Sequence, residues 1–479
     1  MTSGRRASWS GSVAFVIAAA ASAIGLGNLW RFPYLAARYG GGMFIAVYLA
    51  LVVTLGFTLM VTEIAVGRKT QQAPLTAYSL LHRRWGFVGF LGTLIPLLIT
   101  PYYCVIGGWV LYYLKAYLCM AFTGADLMGG AAAESGEFFR SFIASPFAPF
   151  GYGSAFALAC ALVIVLGVKN GIEKSNMVMM PVLFFMAVAI SLYVVFLPGA
   201  CDGIRYYFVP DIGCLTGPDG RFSAALLGKT LLGALGQMFY SLSLAMGIMI
   251  TYGSYMKKGD SIERCVRRIE IFDTFIAVLA GLMIIPVVYM FAVKTGTDVK
   301  EAMNAGPGLM FITLPKVFAM LGATGPWVGA AFFLLVAFAA ATSAISLFEA
   351  CVASACDLLK IERKAATFFT TALILFLATF SALGYGPWAG VRPFGMPFLD
   401  FFDFVANSAL MPVVAIATCV FVGWFAGPRL VIDECEACGR SFKAARFYAF
   451  TVRYLAPALM VALLVSETCR ALGIGGWKI

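Results

Sequence analysis

The chain of 479 residues is 61% hydrophobic and 12% charged, with a mean hydropathy of +0.90; a water-soluble globule would be about 45–50% apolar, so that class is excluded. Its net charge of +11 is spread between apolar runs and gathered in no separate basic domain, which argues against a nucleic-acid partner. The first apolar run is too long for a secretory leader and lacks a small-residue cleavage site, so no cleavable signal is predicted.

A membrane span needs about 20 apolar residues. Eleven runs qualify, at 12–37, 42–67, 87–120, 154–168, 176–198, 225–255, 268–293, 327–359, 366–385, 399–426 and 445–468. Placing residues 1–11, with Arg5 and Arg6, in the cytoplasm puts 21 of the 34 Lys and Arg on the inner side, as the positive-inside rule requires. The clearest clusters are Arg68, Lys69, Arg83 and Arg84; Lys257, Lys258, Arg264, Arg267 and Arg268; and Lys360, Arg363 and Lys364. An odd number of spans puts the C-terminus outside.

The first run holds Ser22-Ala23-Ile24-Gly25-Leu26-Gly27-Asn28-Leu29-Trp30-Arg31-Phe32-Pro33. Two glycines followed by an arginine and a proline are poor material for an uninterrupted helix, and the reading is a helix broken at mid-membrane. Backbone broken in hydrocarbon is tolerated only where it lines a cavity or is buried in protein, since each unpaired polar group costs about 2–7 kcal/mol. A ligand site is therefore expected there. Gly40-Gly41-Gly42 then forms an outer turn. Glu63 in the second run either faces the bundle with a partner or is a helix-end acid beside Arg68. His82, the single histidine, reads as a solvated loop residue, and Pro101-Tyr102-Tyr103 brings hydroxyls that need polar company if buried.

Residues 121–150 form a Gly, Ala and Phe-rich outer loop. The fifth run opens on Gly171-Ile172-Glu173-Lys174 and reaches Pro181, a pairing that either invites local unwinding or is a helix start with an ordinary membrane proline. The outer loop that follows carries Asp202, Arg205, Asp211 and Asp219, and its Cys201 and Cys214 could bridge. The sixth run repeats the theme of the first, with Gln237-Met238-Phe239-Tyr240-Ser241-Leu242-Ser243-Leu244-Ala245-Met246-Gly247 at its middle. Alone this reads as a packing face. Interruptions in runs one and six together point to an inverted-repeat transporter with its site at the repeat interface.

Asp273 is either a near-interface acid or a deeper functional charge. Residues 300–323, with Gly306-Pro307-Gly308 and Pro315, look like a folded outer lid; Thr342-Ser343 sits in an Ala-rich eighth run, and Asp400 and Asp403 open the tenth. Twelve cysteines are scattered singly except Cys435 and Cys438, whose lone CxxC is a weak metal or redox signal.

Gly25-Leu26-Gly27-Asn28-Leu29-Trp30-Arg31-Phe32-Pro33, the triple-glycine turn, Gly306-Pro307-Gly308-Leu309 with Pro315, and Thr251-Tyr252-Gly253-Ser254-Tyr255 resemble the neurotransmitter:sodium symporter family, from Trp9 to the last run. The eleven spans resemble its bacterial branch. The resemblance implies an all-α polytopic fold with a five-plus-five inverted repeat and helices 1 and 6 broken. The parts are then a cytoplasmic segment 1–11, a first repeat 12–198, an outer loop 199–224, a second repeat 225–426 with its lid at 300–323, and an inner loop, last helix and extracellular C-terminus in 427–479.

Matched position by position, the first sodium site would use Ala23, Asn28, Ser241 and Asp273 with the substrate carboxylate, and the second Ala21, Ile24, Ala339, Thr342 and Ser343. Oxygens suit a hard cation, and an unwound turn exposes carbonyls. The substrate carboxylate would rest on the amides of Leu26 and Gly27 and on Tyr103, beside a half-helix amino end; the ammonium would meet carbonyls of the broken first and sixth helices, Ser22 and Ser243 could bond a polar side-chain tip, and Ala23, Gly25 and Ser241 belong to the same substrate site. Ile99, Tyr240, Ser243, Met246, Ser343 and Leu347 would line the side-chain pocket. Arg31 and Asp403, roofed by Tyr240, match an outer gate; Arg6, Trp9, Ser254, Tyr255 and Asp357 match an inner one. Gly171 and Pro181 match a segment that unwinds to release the second sodium.

The expected function is a sodium-coupled amino-acid symporter of the plasma (inner) membrane, working by alternating access with two sodium ions. Gly25 stands where monoamine-carrying relatives have an aspartate, which favours an α-amino acid; the uncharged pocket favours large apolar or aromatic side chains. Tyr48, Gln237 and Ser241 match part of the family's chloride cage, but Ala277 replaces a serine and Asp273 an asparagine, so no chloride requirement is expected, and a proton could return outward on Asp273. The partners are a small amino acid and the lipid bilayer, with oligomeric state open. The rival reading is a substrate-gated channel or non-transporting sensor on the same fold. No nucleophile, base and orienting acid suggest an enzyme.

Overall fold

The computed structural model describes residues 6–125, 128, 135–217, 220–303 and 306–471. Arg5 and Asp219 lie outside them. The described chain is helical, with no β-strand beyond the isolated bridges Gly41–Pro210 and Thr216–Phe222.

In order, the long helical segments are α1 (Ser12–Ala23), α2 (Gly27–Arg38), α3 (Gly42–Thr70), α4 (Arg83–Thr123), α5 (Ala148–Val165), α6 (Val168–Val195), α7 (Ala224–Ser241), α8 (Ile248–Gly253), α9 (Ile262–Thr295), α10 (Gly322–Leu359), α11 (Arg363–Leu383), α12 (Phe398–Phe425) and α13 (Ala445–Arg470). Among the described residues nine of them are long and apolar enough to cross a membrane, or ten if α1 and α2, bent by 53°, count as one span. The eleventh expected span, 225–255, does not pass as one helix. It is α7 and the short α8, joined by a non-helical Leu242–Gly247.

Several ends are written locally. Ser223 and Ser261 accept the amides of Leu226 and Arg264 and so cap α7 and α9. Gly124 ends α4 at φ +69°, the left-handed cap that glycine adopts without strain. The turn into α3 needs its glycines: Gly40 and Gly41 have φ of +81° and +56°, and a Cβ on Gly41 or Gly42 would strike the carbonyls of Tyr206 or Phe208. This packs the turn under the loop after α6, where Asp211 N donates to Gly40 O at 3.2 Å.

The core is built around α4 and α10, which share the most extensive contact, with α5 and α11 against both, while α1 packs between α10 and α9. The lid region holds short helices at Val299–Ala302 and Leu314–Ala319 with a wide turn at Leu309–Thr313. Cys201 and Cys214 are both free thiols, and Cys214 Sγ instead lies 3.5 Å from Tyr39 O. His82 is half-buried, its ring 4.6 Å edge-on from that of Phe425, so it is not the solvated residue expected.

Candidate functional site

Both helix interruptions lie in the core and touch. After α1, Ile24 is extended (φ −79°, ψ 95°), which frees the carbonyls of Ser22 and Ile24; Ser343 Oγ on α10 donates to them at 3.0 and 3.3 Å. The break after α7 is more contorted. Ser243 and Ala245 are left-handed, with φ of 52° and 59°, a conformation that costs roughly 1–2 kcal/mol per non-glycine residue and persists only where surroundings over-determine it. Two contacts do so here: Glu63 Oε1 accepts the Ala245 amide at 2.6 Å, and Ser243 Oγ donates to Ser22 O at 3.2 Å. Glu63 thus faces the bundle, while Arg68 pairs with Glu434 at 2.8 Å.

Asp273, fully buried on α9, gathers the first cluster. It accepts from Asn28 Nδ2 at 2.8 Å, from Ser241 Oγ at 2.9 Å and from Tyr48 Oη at 3.1 Å. No Lys or Arg pairs with it among the described residues. A carboxylate so deep with only neutral donors is a strong attractor for a cation. Gln237 Nε2 donates to Gly27 O at 3.1 Å, and Ala277, one turn after Asp273, is fully buried.

The second oxygen group is Ser343 with Ile24 O and Thr342 Oγ1, which donates to Ala339 O at 3.0 Å. Ala21 stands in the last turn of α1.

Between the two groups lies a cavity of about 20 Å³ lined by Ala23, Gly25, Gly27, Ile99, Tyr103, Tyr240, Met246 and Leu347, with Ser22, Ser243 and Ser343. That is room for one water, so a large side chain enters only as Met246, Leu347 or Tyr240 moves. Leu26 N donates to Tyr103 Oη at 3.2 Å on the wall. A Cβ on Gly25 would lie 2.6 Å from Ser343 Oγ and 3.0 Å from Tyr103 Oη, so that position has space only for glycine.

Tyr240 separates this cavity from a second of about 360 Å³, lined by Arg31, Tyr102, Asp403 and Asn407 among others. Arg31 and Asp403 form no ion pair. Arg31 lies 5.9 Å from the Tyr240 ring centre, and Asp403 accepts from Tyr102 at 2.9 Å and Asn407 at 2.6 Å. The opposite end is tied shut: Arg6 pairs with Asp357 at 2.5 Å and donates to Ser254 at 2.7 Å, and Trp9 Nε1 donates to Tyr252 O at 3.0 Å. Burial pulls the Arg6 pKa down, but Tyr255, Asp357 and Glu349 outweigh it and hold the guanidinium above its ordinary value. Gly171 falls in the wide first turn of α6 and Pro181 inside the same helix, which is wound from Val168 onward. At Cys435, burial pushes the thiol up to about 12, and no metal-ligating cluster occurs among the described residues.

Sequence reasoning missed Glu349, a fully buried acid on α10 that accepts from Tyr255 Oη at 2.6 Å and pairs with Arg363. An acid within an apolar run was its signal. Ser346, which accepts from Ser22 Oγ at 2.6 Å on the cavity wall, gave none.

A sequence profile described as the sodium:neurotransmitter symporter family matches residues 6–125 and 154–474. The chain is similar to the uncharacterised sodium-dependent transporter YhdH of Bacillus subtilis, at 33% identity over 96% of this chain and 97% of that one. It is also similar to human sodium- and chloride-dependent GABA transporter 2, at 26% over 90% and 75%. Its fold is similar to the crystal structure of MhsT in complex with L-phenylalanine, with a TM-score of 0.83 and 32% identity over 97% of this chain and 100% of that one. A profile that spans most of the chain and relatives that share its length place it: the protein belongs to the sodium:neurotransmitter symporter family, and is a multi-pass, sodium-dependent transporter and not an enzyme.

Proposed function

We propose that the protein couples the inward movement of sodium to import of an α-amino acid with a large apolar or aromatic side chain. The observation that carries this is the meeting of two backbone breaks around one small cavity, with Asp273 uncompensated on one flank. In this reading Asn28, Ser241, Asp273 and Ala23 O hold one sodium, and Ala21 O, Ile24 O, Ala339 O, Thr342 and Ser343 the other, both as cargo. The substrate carboxylate completes the first set and lies on the Leu26 and Gly27 amides and Tyr103, as a half-helix amino end favours. The space-free Gly25 leaves no side-chain carboxylate to replace it, which excludes a bare amine. MhsT, crystallised with L-phenylalanine, supports the choice of an aromatic amino acid, as does the apolar lining of Ile99, Met246 and Leu347.

The eleven-span count, with α1–α2 and α7–α8 as broken spans related by inverted repeats, belongs to the same proposal, as do a cytoplasmic N-terminus and an external C-terminus. Tyr240 with Arg31 and Asp403 then closes the outside, and the Arg6 ties close the inside. The α6 start from Gly171 toward Pro181 unwinds to release the second sodium. Asp273 supplies the negative charge that chloride would, so chloride is not needed. After sodium leaves, a proton takes its place on Asp273 for the return step, so a proton moves outward and transport steepens as the outside becomes alkaline.

Counterflow of labelled amino acids into proteoliposomes, run across the protein amino acids, tests this. Sodium-dependent exchange led by aromatic and branched aliphatic substrates is expected. Flux without counterflow would indicate a channel, and binding without flux a sensor. Tryptamine carried as well as tryptophan would overturn the amino-acid assignment.

A further inference from the structure

At the end of α9 that bears its N-terminus, a cavity of about 500 Å³ opens between α9 and the loop joining α12 to α13. Its charged lining is Arg264, Arg267, Arg440 and Lys443 against the single acid Glu263. Glu263 is engaged with Arg267, at 3.6 Å, which leaves Arg264, Arg440 and Lys443 without an acidic partner among the described residues. Like charges are not gathered in a concavity without cost, and an anion relieves it.

The wall is built and not a chance of exposed side chains. Gly439, at φ +76°, turns the loop back. Phe442 is then buried against Phe57 and Tyr448, with ring centres at 6.3 and 5.8 Å, and its amide donates to Glu436 Oε1 at 3.1 Å. Arg267 lies 4.6 Å over the Phe57 ring. Buried Arg68 fastens the loop to the turn before α9, through Glu434 Oε1 at 2.8 Å and Asp260 O at 2.6 Å.

What lies beside the basic cavity identifies the ligand class. Along one face of α9, Arg264 and Arg268 are followed by Ile271 and Phe275, spaced at i, i+4, i+7 and i+11. Both apolar residues are exposed, as are Phe447 and Phe450 at the start of α13, directly after the loop. A soluble anion has no use for such a surface, whereas a phospholipid places a phosphate over the arginines and its chains along the apolar rows. We infer that this cleft binds the headgroup of an anionic phospholipid, which bridges α9 and the loop before α13. Basic pockets between membrane helices hold such headgroups elsewhere, at roughly a factor of five per cation.

The test is native mass spectrometry of the full chain in phosphatidylcholine nanodiscs titrated with phosphatidylglycerol. One tightly held phosphatidylglycerol per chain is expected. The variant Arg264→Gln with Arg440→Gln and Lys443→Gln should bind it about a hundredfold more weakly, and the equally charged control Arg83→Gln with Arg84→Gln and Lys360→Gln should bind as wild type does. Equal weakening in both variants would reduce the effect to surface charge and overturn the site. Displacement of the lipid by inorganic phosphate alone would show a soluble-anion site and overturn the lipid assignment.

Discussion

At the scale of single residues, Asp273 decides the ion chemistry. A carboxylate about 4 Å from sodium gains roughly 4 kcal/mol at an effective dielectric near 20, before desolvation. Asp273→Asn should therefore raise the sodium concentration for half-maximal uptake at least about tenfold, since each 1.4 kcal/mol is a factor of ten. Uptake in gluconate should match that in chloride for wild type, with chloride dependence appearing only in Asp273→Asn with Ala277→Ser. Wild-type chloride dependence would refute the account of this site. Met246→Phe should shift preference toward smaller aliphatic substrates, because a rigid ring replaces an adaptable thioether. Glu63→Ala leaves the Ala245 amide buried and unpaired, a loss of about 1–3 kcal/mol; thermal unfolding in detergent should show it, and Glu63→Gln, which keeps the acceptor, should restore most of it. The sequence narrowed Glu63 and Asp273 only to alternatives, because the hydrogen-bond partners that place each one deep, Ala245 and Asn28, are 182 and 245 residues away. Glu349 was legible as an acid in an apolar run and was overlooked.

At the scale of elements, apolar length made most helices visible: the run at 87–120 is α4 at Arg83–Thr123, and that at 327–359 is within α10 at Gly322–Leu359. The first break was legible because Gly25 and Gly27 frame it. The second shows less in sequence, since its strained positions are Ser243 and Ala245, ordinary residues that Glu63 and Ser22 hold in an unusual conformation. Ends were less legible than cores. α6 begins at Val168, eight residues before the apolar run does, because the polar Lys169 and Asn170 are wound into its wide first turn. That turn is where release of the second sodium would begin, and Pro181 weakens the ladder above it by removing one amide. Pro181→Ala should slow uptake severalfold and leave equilibrium substrate binding near wild type; loss of binding instead would show that the proline serves folding.

For the whole molecule, asymmetry between its two ends is the main feature. One side of the central cavity meets a 360 Å³ vestibule at Tyr240, which lines both, while the other is tied by Arg6, Asp357 and Trp9. Charge-assisted hydrogen bonds such as those of Arg6 are worth about 1.5–3 kcal/mol, enough to bias an alternating equilibrium and small enough to break each cycle. Asp357→Asn should expose the route behind it. Cys351, on the same face of α10 as Leu347 and Ser354 and buried in this state, should then react faster with a permeant maleimide, read by peptide mass. Such long-range ties were legible only through the family resemblance, since nothing local to Arg6 names a partner 351 residues away. Energetic coupling between sodium and substrate is read out by concentrative uptake. Proteoliposomes with an inward sodium gradient should accumulate labelled L-phenylalanine or L-leucine above the external concentration, and lose that excess when the gradient is collapsed. Equilibration to the external concentration, indifferent to sodium, would contradict the account.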